Sequence, residues 1–167
     1  MQMGIKQEIF TLMGGRIKMR RGLYNPTSDA VWLAAFAPCG VKNVLDVGIG
    51  TGGVSLCLWA NNPGIQITGI DISDDMLDTC RKNAELNGVN INLINADIGT
   101  WRTNQTFDLV ITNPPYFRGT PAKHNAHHNA DLKTWVARCI ARVRPMGTFC
   151  IITDATTIST VIAEMSK

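Results

Sequence analysis

The apolar run Phe107-Asp108-Leu109-Val110-Ile111-Thr112 leads directly into Asn113-Pro114-Pro115-Tyr116, and this junction constrains the chain more than any other feature. A short apolar run bounded by breakers reads as a buried strand. Two consecutive prolines cannot continue a sheet ladder, so the strand must stop there. Each proline also pushes the residue before it into an extended conformation. The Asn113 side chain and the Pro114 carbonyl are thereby held as hydrogen-bond acceptors in fixed directions, with the Tyr116 ring next to them. Two fixed acceptors beside a flat ring suit a planar NH2 group. The acceptors take its hydrogens, the ring stacks on its π-system, and the nitrogen lone pair stays free to attack an electrophile. Pro-Pro by itself is usually only a turn; the residues upstream give it weight.

Val44 to Val47 form an apolar strand that enters the loop Gly48-Ile49-Gly50-Thr51-Gly52-Gly53, after which Val54 to Ala60 continue with helical character. Glycines allow a tight turn and close approach of a ligand to backbone N–H groups. The G-x-G-x-x-G spacing of Gly48, Gly50 and Gly53 is a weak signal for dinucleotides. Asp46 argues against a pyrophosphate, which its carboxylate would repel, and suits a ligand carrying an ammonium and a sulfonium. The next strand, 65–70, ends in Asp71, placed to accept two ribose hydroxyls. A third strand, 91–95, is followed by Asp97, which can accept an adenine amino group while Ile72 and Ile98 pack the ring faces. Either acid alone would more often be a helix cap or turn residue. Two acids closing successive strands after a glycine loop make that reading much weaker.

The series Asp46-x-Gly48-x-Gly50-x-Gly52, Asp71, Asp97 and Asn113-Pro114-Pro115-Tyr116 resembles the class I S-adenosylmethionine-dependent methyltransferases, and its NPPY places it among the amino-group methylators. The stretch from Leu12 to Arg20, with the helix-like segment 24–37 after it, is similar to that of the bacterial valine-tRNA adenine-N6 methyltransferases. The resemblance implies an α/β fold, a Rossmann-like sheet with helices on both faces, and S-adenosylmethionine as cofactor. It implies cofactor contacts from Asp46, Gly48, Gly50, Gly52, Asp71, Ile72, Asp97, Ile98 and Asn113, with Asn113, Pro114, Pro115 and Tyr116 at the reacting amino group. Sheets of this class usually end in an antiparallel pair. The sequence ends at Lys167 after a fifth strand and one helix, so strands six and seven are expected to be missing.

Charge is uneven. Residues 1–22 hold Lys6, Arg16, Lys18, Arg20 and Arg21 against Glu8, whereas the whole chain of 167 residues is only +3. Ile9 to Leu12, the Gly14-Gly15 turn and the alternating Arg16-Ile17-Lys18-Met19-Arg20 predict a β-hairpin. Its cations should share one outer face, able to meet successive phosphates of an RNA, a tRNA in the resembled family. A charged, solubilising edge strand explains the same pattern. Phe117 and Arg118, beyond NPPY, are further candidates for substrate contact. Residues 1–22 thus read as a basic hairpin unit and 23–167 as the cofactor-binding domain.

Between these motifs the pattern alternates strand and helix. Ser73 caps a helix that ends at Asn87-Gly88, and Leu132 to Val143 form another. Pro145-Met146-Gly147 reads as a turn before a strand over 148–153 and a helix over 155–165. Trp32, Trp59 and Trp135, in helical stretches, read as core residues. Five cysteines without a C-x-x-C pair, mostly in apolar surroundings, read as small core residues of a reducing, cytoplasmic compartment. No signal peptide and no membrane span is expected. His124, His127 and His128 lack the ligand spacing of a zinc site, so no metal is expected, and their loop reads as substrate-facing or solvated.

Three functions remain open on this reading. The first is an adenine-N6 methyltransferase on structured RNA. The second is a protein-glutamine N5 methyltransferase, because an amide NH2 presents the same geometry to NPPY. The third is a non-catalytic cofactor- or RNA-binding remnant.

Overall fold

A computed structural model of the protein describes residues 8–22, 24–115 and 132–167. Tyr116, Phe117, Arg118, His124, His127 and His128 lie outside the described residues. The hairpin comes first, with β1 (Ile9–Leu12) and β2 (Ile17–Arg20) joined through a 3-10 turn at Met13–Gly15. There follow α1 (Ser28–Phe36), β3 (Asn43–Val47), α2 (Gly53–Asn61), β4 (Gln66–Asp71), α3 (Asp74–Leu86) and β5 (Ile91–Asn95). After them come β6 (Phe107–Thr112), α4 (Leu132–Ile140), β7 (Val143–Ile151) and α5 (Ile158–Met165).

Strands β3 to β7 pair in parallel in the order β5-β4-β3-β6-β7. A parallel sheet buried on both faces needs nearly continuous apolar strands. Val44, Leu45, Val47, Leu109, Val110 and Ile111 supply them and are each fully buried. Val44, Leu109, Ile111 and Cys150 face Ala30 and Leu33 of α1 and Val54 of α2. Leu45, Val47, Ile70 and Val110 face Trp135 and Cys139 of α4 on the other side. The expected α/β sheet with helices on both faces is therefore present.

Ser73 caps α3 by accepting the Met76 N–H at 3.3 Å, and Gly88 leaves the helix with φ +66. Asp74 and Asp75 sit in the first turn, where a carboxylate favours the helix dipole. The hairpin is seated rather than loose. Ile17 and Met19 are buried against Leu56, Ala60 and Val89, each worth about 1.5–3 kcal/mol of transfer free energy.

Three expectations need correction. The helix that starts at Leu132 ends at Ile140, and Val143 belongs to β7 instead. Trp32 is 64 % exposed and Phe36 85 %, one turn apart on α1, so Trp32 is not a core residue. The helix is apolar nearly all round, from Ala30 through Phe36, so its pattern does not say which side is buried. Pro145-Met146-Gly147 is not a turn that precedes the strand but a bulge within β7. Phe107 of β6 faces Val143, and Leu109 faces Thr148. The extra residues of β7 are extruded there, and Met146, at φ +62, is 97 % exposed.

Candidate functional site

The chain runs outward from β3 through β4 to β5, then returns to β6 on the other flank of β3. At such a reversal the loops beyond two neighbouring strands diverge and leave a crevice, the usual ligand site of open α/β sheets. Val47 lies in register with both Ile70 and Thr112. The residues that follow these three positions, Gly48, Asp71 and Asn113, therefore come to one rim. A cavity of about 640 Å³ opens there, and all three line it together with Ile72, Ile98 and Pro114.

The glycine loop is shaped by what it must avoid. Gly48 has φ +71, and a Cβ there would come within 3.2 Å of the Trp135 ring. Gly52 has φ +88, and its missing Cβ leaves room for Cys80 Sγ, which would lie only 2.8 Å away. The N–H groups of Gly48 and Ile49 both donate to Ile70 O, at 2.9 and 3.0 Å, tying the loop to the end of β4.

Asp71 is held by two backbone donors: Gly50 N–H to Oδ2 at 2.9 Å and Ser73 N–H to Oδ1 at 3.0 Å. A carboxylate has about four acceptor positions, so one remains on each oxygen, the arrangement that a vicinal diol needs. Thr51 adds a second sign of a polar ligand. It lines the cavity, and its Oγ1 is buried without a hydrogen-bond partner. A buried hydroxyl left unpaired costs about 1–3 kcal/mol, a cost that a bound polar group removes. Ile72 and Ile98 supply apolar walls on either side.

Asp46, Gly52 and Asp97 are not among the residues that line the cavity. Asp46 is 1 % exposed behind the loop and accepts the Ser55 hydroxyl at 2.7 Å. Burial pushes its carboxyl up to about 7, the Ser55 hydrogen bond opposes this, and the charge of Asp71 adds to it. Asp97 closes its own turn by accepting the Gly99 N–H at 2.7 Å, so its neighbours Ala96 and Ile98 form the wall instead.

Asn113, Pro114 and Pro115 line the cavity at the end of β6, as the break after Thr112 implied. Their support was not foreseen. Trp135 Nε1 donates to Thr112 Oγ1 at 3.1 Å, and that hydroxyl donates to Val47 O at 2.7 Å. One buried chain thus joins α4, the strand end before Asn113 and the strand end before Gly48. Trp135 also lines the cavity. Tyr24 and Pro26, in the segment after the hairpin, line it as well. Their signal in the sequence was an aromatic and a proline immediately before the Thr27-Ser28-Asp29 helix start.

The hairpin cations are not equivalent. Arg16 lies in the turn before β2, and its guanidinium donates to Ala60 O and to Asn61 Oδ1, at the C-terminal end of α2. Lys18 is exposed, and Arg20 is half-buried. Among the described residues no group of His, Cys, Asp and Glu is placed to hold a metal ion, and no helix is long and apolar enough to cross a membrane.

A family model described as the methyltransferase small domain matches residues 28–162. A protein of Flavobacteriaceae bacterium (strain 3519-10), named tRNA1(Val) (adenine(37)-N6)-methyltransferase, is 31% identical over 143 residues, covering 81% of this chain. A release factor glutamine methyltransferase of Flavobacterium psychrophilum is 42% identical over 81 residues, 48% of the chain. The chain spans 62% of the first relative's length and 28% of the second's. Among solved structures, a T. thermophilus 16S rRNA N2 methyltransferase in complex with AdoMet and guanosine superimposes with a TM-score of 0.72 at 21% identity. That match covers 95% of this chain and 45% of the other, and it carries the fold alone.

Proposed function

The chain belongs to the methyltransferase small domain family, and from that premise we propose that it is an S-adenosylmethionine-dependent N-methyltransferase acting on adenine N6 in tRNA. One observation carries the reading: Asn113 and Pro114 share a cavity with Asp71, so an amino-group clamp and a diol acceptor face the same space.

The residues present fit the cofactor. Asp71 has two acceptor positions for a ribose diol, Thr51 has an unpaired hydroxyl, and Ile72 and Ile98 are apolar walls for a flat ring. When bound, S-adenosylmethionine supplies an electrophilic methyl group on a sulfonium. The protein's part is alignment, which is worth several orders of magnitude in rate. Asn113 and the Pro114 carbonyl accept the hydrogens of the target NH2 and turn its lone pair toward the cavity. Tyr116, which follows Pro115, is assigned the stacking face. The amino proton leaves to solvent after transfer, so no general base is assigned.

The basic hairpin favours RNA over a peptide, since its exposed Lys18 can meet a phosphate. The partial similarity to a release factor glutamine methyltransferase keeps a second reading in view, glutamine N5. Incubation with methyl-labelled cofactor and separate pools of tRNA, rRNA and release factors decides between them. Label recovered as N6-methyladenosine from tRNA supports the proposal. Label recovered as N5-methylglutamine selects the alternative, and no label in any pool overturns both.

A further inference from the structure

Strand β2 has one partner strand, β1, and a second edge turned toward α3. On that edge the place of a third strand is taken by two asparagine side chains. Asn87 Oδ1 accepts the Lys18 N–H at 2.9 Å, and its Nδ2 donates back to Lys18 O at 2.7 Å. Asn83 Oδ1 accepts the Arg20 N–H at 2.9 Å. The match is geometric. Residues i and i+4 of a helix are separated by about 6 Å along its axis, and residues i and i+2 of a strand by about 6.6 Å. Asparagines 83 and 87 therefore meet residues 20 and 18 in register.

Asn83 does more than Asn87. It is fully buried, and its Nδ2 donates to Thr51 O at 3.0 Å. Thr51 is the residue of the glycine loop whose buried hydroxyl has no partner and which lines the cavity. A single planar amide thus holds the hairpin backbone with its oxygen and the cofactor-loop backbone with its nitrogen. The amide is rigid, so a displacement of either group changes the hydrogen bond to the other. The bond to Thr51 O is buried, so opening it leaves a buried carbonyl and a buried amide unpaired. Cys80, one turn earlier on α3, packs where a Gly52 side chain would stand, so the loop and the hairpin rest on the same helix face.

We propose that Asn83 is a positioning residue that couples the hairpin to the cofactor loop, so that cofactor and nucleic acid each tighten the binding of the other. The nucleic-acid half rests on the reading of the hairpin as an RNA face; the hairpin–loop coupling does not. Order imposed on the loop by a ligand is transmitted through Asn83 to β2, and order imposed on β2 by phosphates returns by the same route. Linkage requires the two factors to be equal.

The first experiment uses the intact chain and no RNA. Saturation with S-adenosylhomocysteine should slow hydrogen exchange of the Lys18 amide about fivefold or more. In Asn83→Leu the same amide keeps its Asn87 partner, and the ligand effect should fall below about twofold. Asn83→Asp serves if the leucine variant does not fold: it keeps the acceptor for Arg20 N–H and loses the donor to Thr51 O, with the same expected loss. No change at Lys18 in the wild-type protein, or an undiminished change in a folded variant, overturns the coupling. The second experiment measures S-adenosylhomocysteine affinity with and without saturating tRNA, with an expected gain of about fivefold or more in the wild type. This factor is a ratio within one protein, so a loss of overall stability does not move it. Bound tRNA with a factor of one overturns the proposal. If tRNA does not bind at all, the RNA reading fails, and the exchange experiment still judges Asn83.

Discussion

Asp71 Oδ2 accepts the Gly50 N–H at 2.9 Å, so the acid that closes β4 also fixes the loop that follows β3. The two strands are neighbours with Val47 opposite Ile70, so this side chain spans the seam between them. A carboxylate pinned in this way presents its remaining acceptor positions without having to be ordered by the ligand. Preorganisation of that kind preserves affinity that would otherwise go into ordering.

Asp71→Ala should therefore weaken S-adenosylhomocysteine binding by more than one hydrogen bond implies. It removes the diol acceptor and leaves the Gly50 N–H without its partner. Hydrogen bonds to a charged group are worth about 1.5–3 kcal/mol, or roughly 10- to 150-fold. Titration calorimetry should show a loss at or above the top of that range. An unchanged Kd would remove Asp71 from the site.

Asn113→Ala separates chemistry from cofactor binding. Asn113 stands at the end of β6, whereas Asp71 and Gly50 belong to the neighbouring β3–β4 seam. Cofactor affinity should stay within about twofold. The methylation rate should fall on the order of 10²-fold or more, the usual loss when one positioned polar group leaves a reacting centre. Single-turnover transfer to the substrate found in the labelling assay, compared with calorimetry on the same protein, makes the measurement. Equal rates for variant and parent would end the role given to Asn113.

The strand ends were legible in the sequence because apolar runs and breakers are local signals. Asn113-Pro114-Pro115 after the 107–112 run, Asp71 after the 65–70 run and most of the glycine loop after Val47 fall on the cavity rim or in its wall. What was not legible was contact across the chain. Nothing near Asp46 says that Ser55 will turn toward it, or that the loop will close it off from the cavity. The Trp135–Thr112–Val47 chain joins three elements, and a tryptophan in a helix looks the same whether it fills the core or lines a site. Asn83 and Asn87 look like ordinary polar residues near a helix end until β2 is laid beside them. Trp32 was misplaced for the opposite reason, because an all-apolar helix does not mark its buried side.

Asp46 should make stability fall as pH rises from about 4 to about 7. Its carboxyl is pushed from an ordinary 3.8 up to about 7, chiefly by burial. Between those values the folded protein keeps the proton and the unfolded chain releases it. The folded state binds more protons in that window, so unfolding becomes easier with each step up in pH. Above about 7 the full cost of a buried charge is present, and below about 4 it is absent. Asp46→Asn keeps an acceptor for the Ser55 hydroxyl and carries no charge. Its melting temperature should exceed the parent's by several degrees at about pH 8 and converge with it near pH 4. Equal melting temperatures at both pH values would contradict the assignment.

The hairpin cations should divide into two kinds. Arg16 donates to Ala60 O and Asn61 Oδ1 where α2 ends, and a cation near a helix C-terminus is worth about 0.3–1 kcal/mol. Lys18 lies on the exposed side of β2 between the buried Ile17 and Met19, with its backbone, not its ammonium, held by Asn87. If the hairpin meets phosphates, Lys18→Gln should weaken tRNA binding and flatten the log–log salt dependence by about one unit, the change expected from removing a single ammonium–phosphate pair. Arg16→Gln should leave that slope nearly unchanged. Instead it should lower the melting temperature by about 2–4 °C, the shift expected from roughly 1 kcal/mol in a chain of this size. The check is tRNA affinity over a salt series for both variants, with a thermal melt of each. Cofactor affinity should remain close to the parent's in both, since neither residue lines the cavity. Equal slopes for Lys18→Gln and the parent would take the hairpin's exposed face out of RNA recognition and leave the glutamine-bearing protein as the favoured substrate.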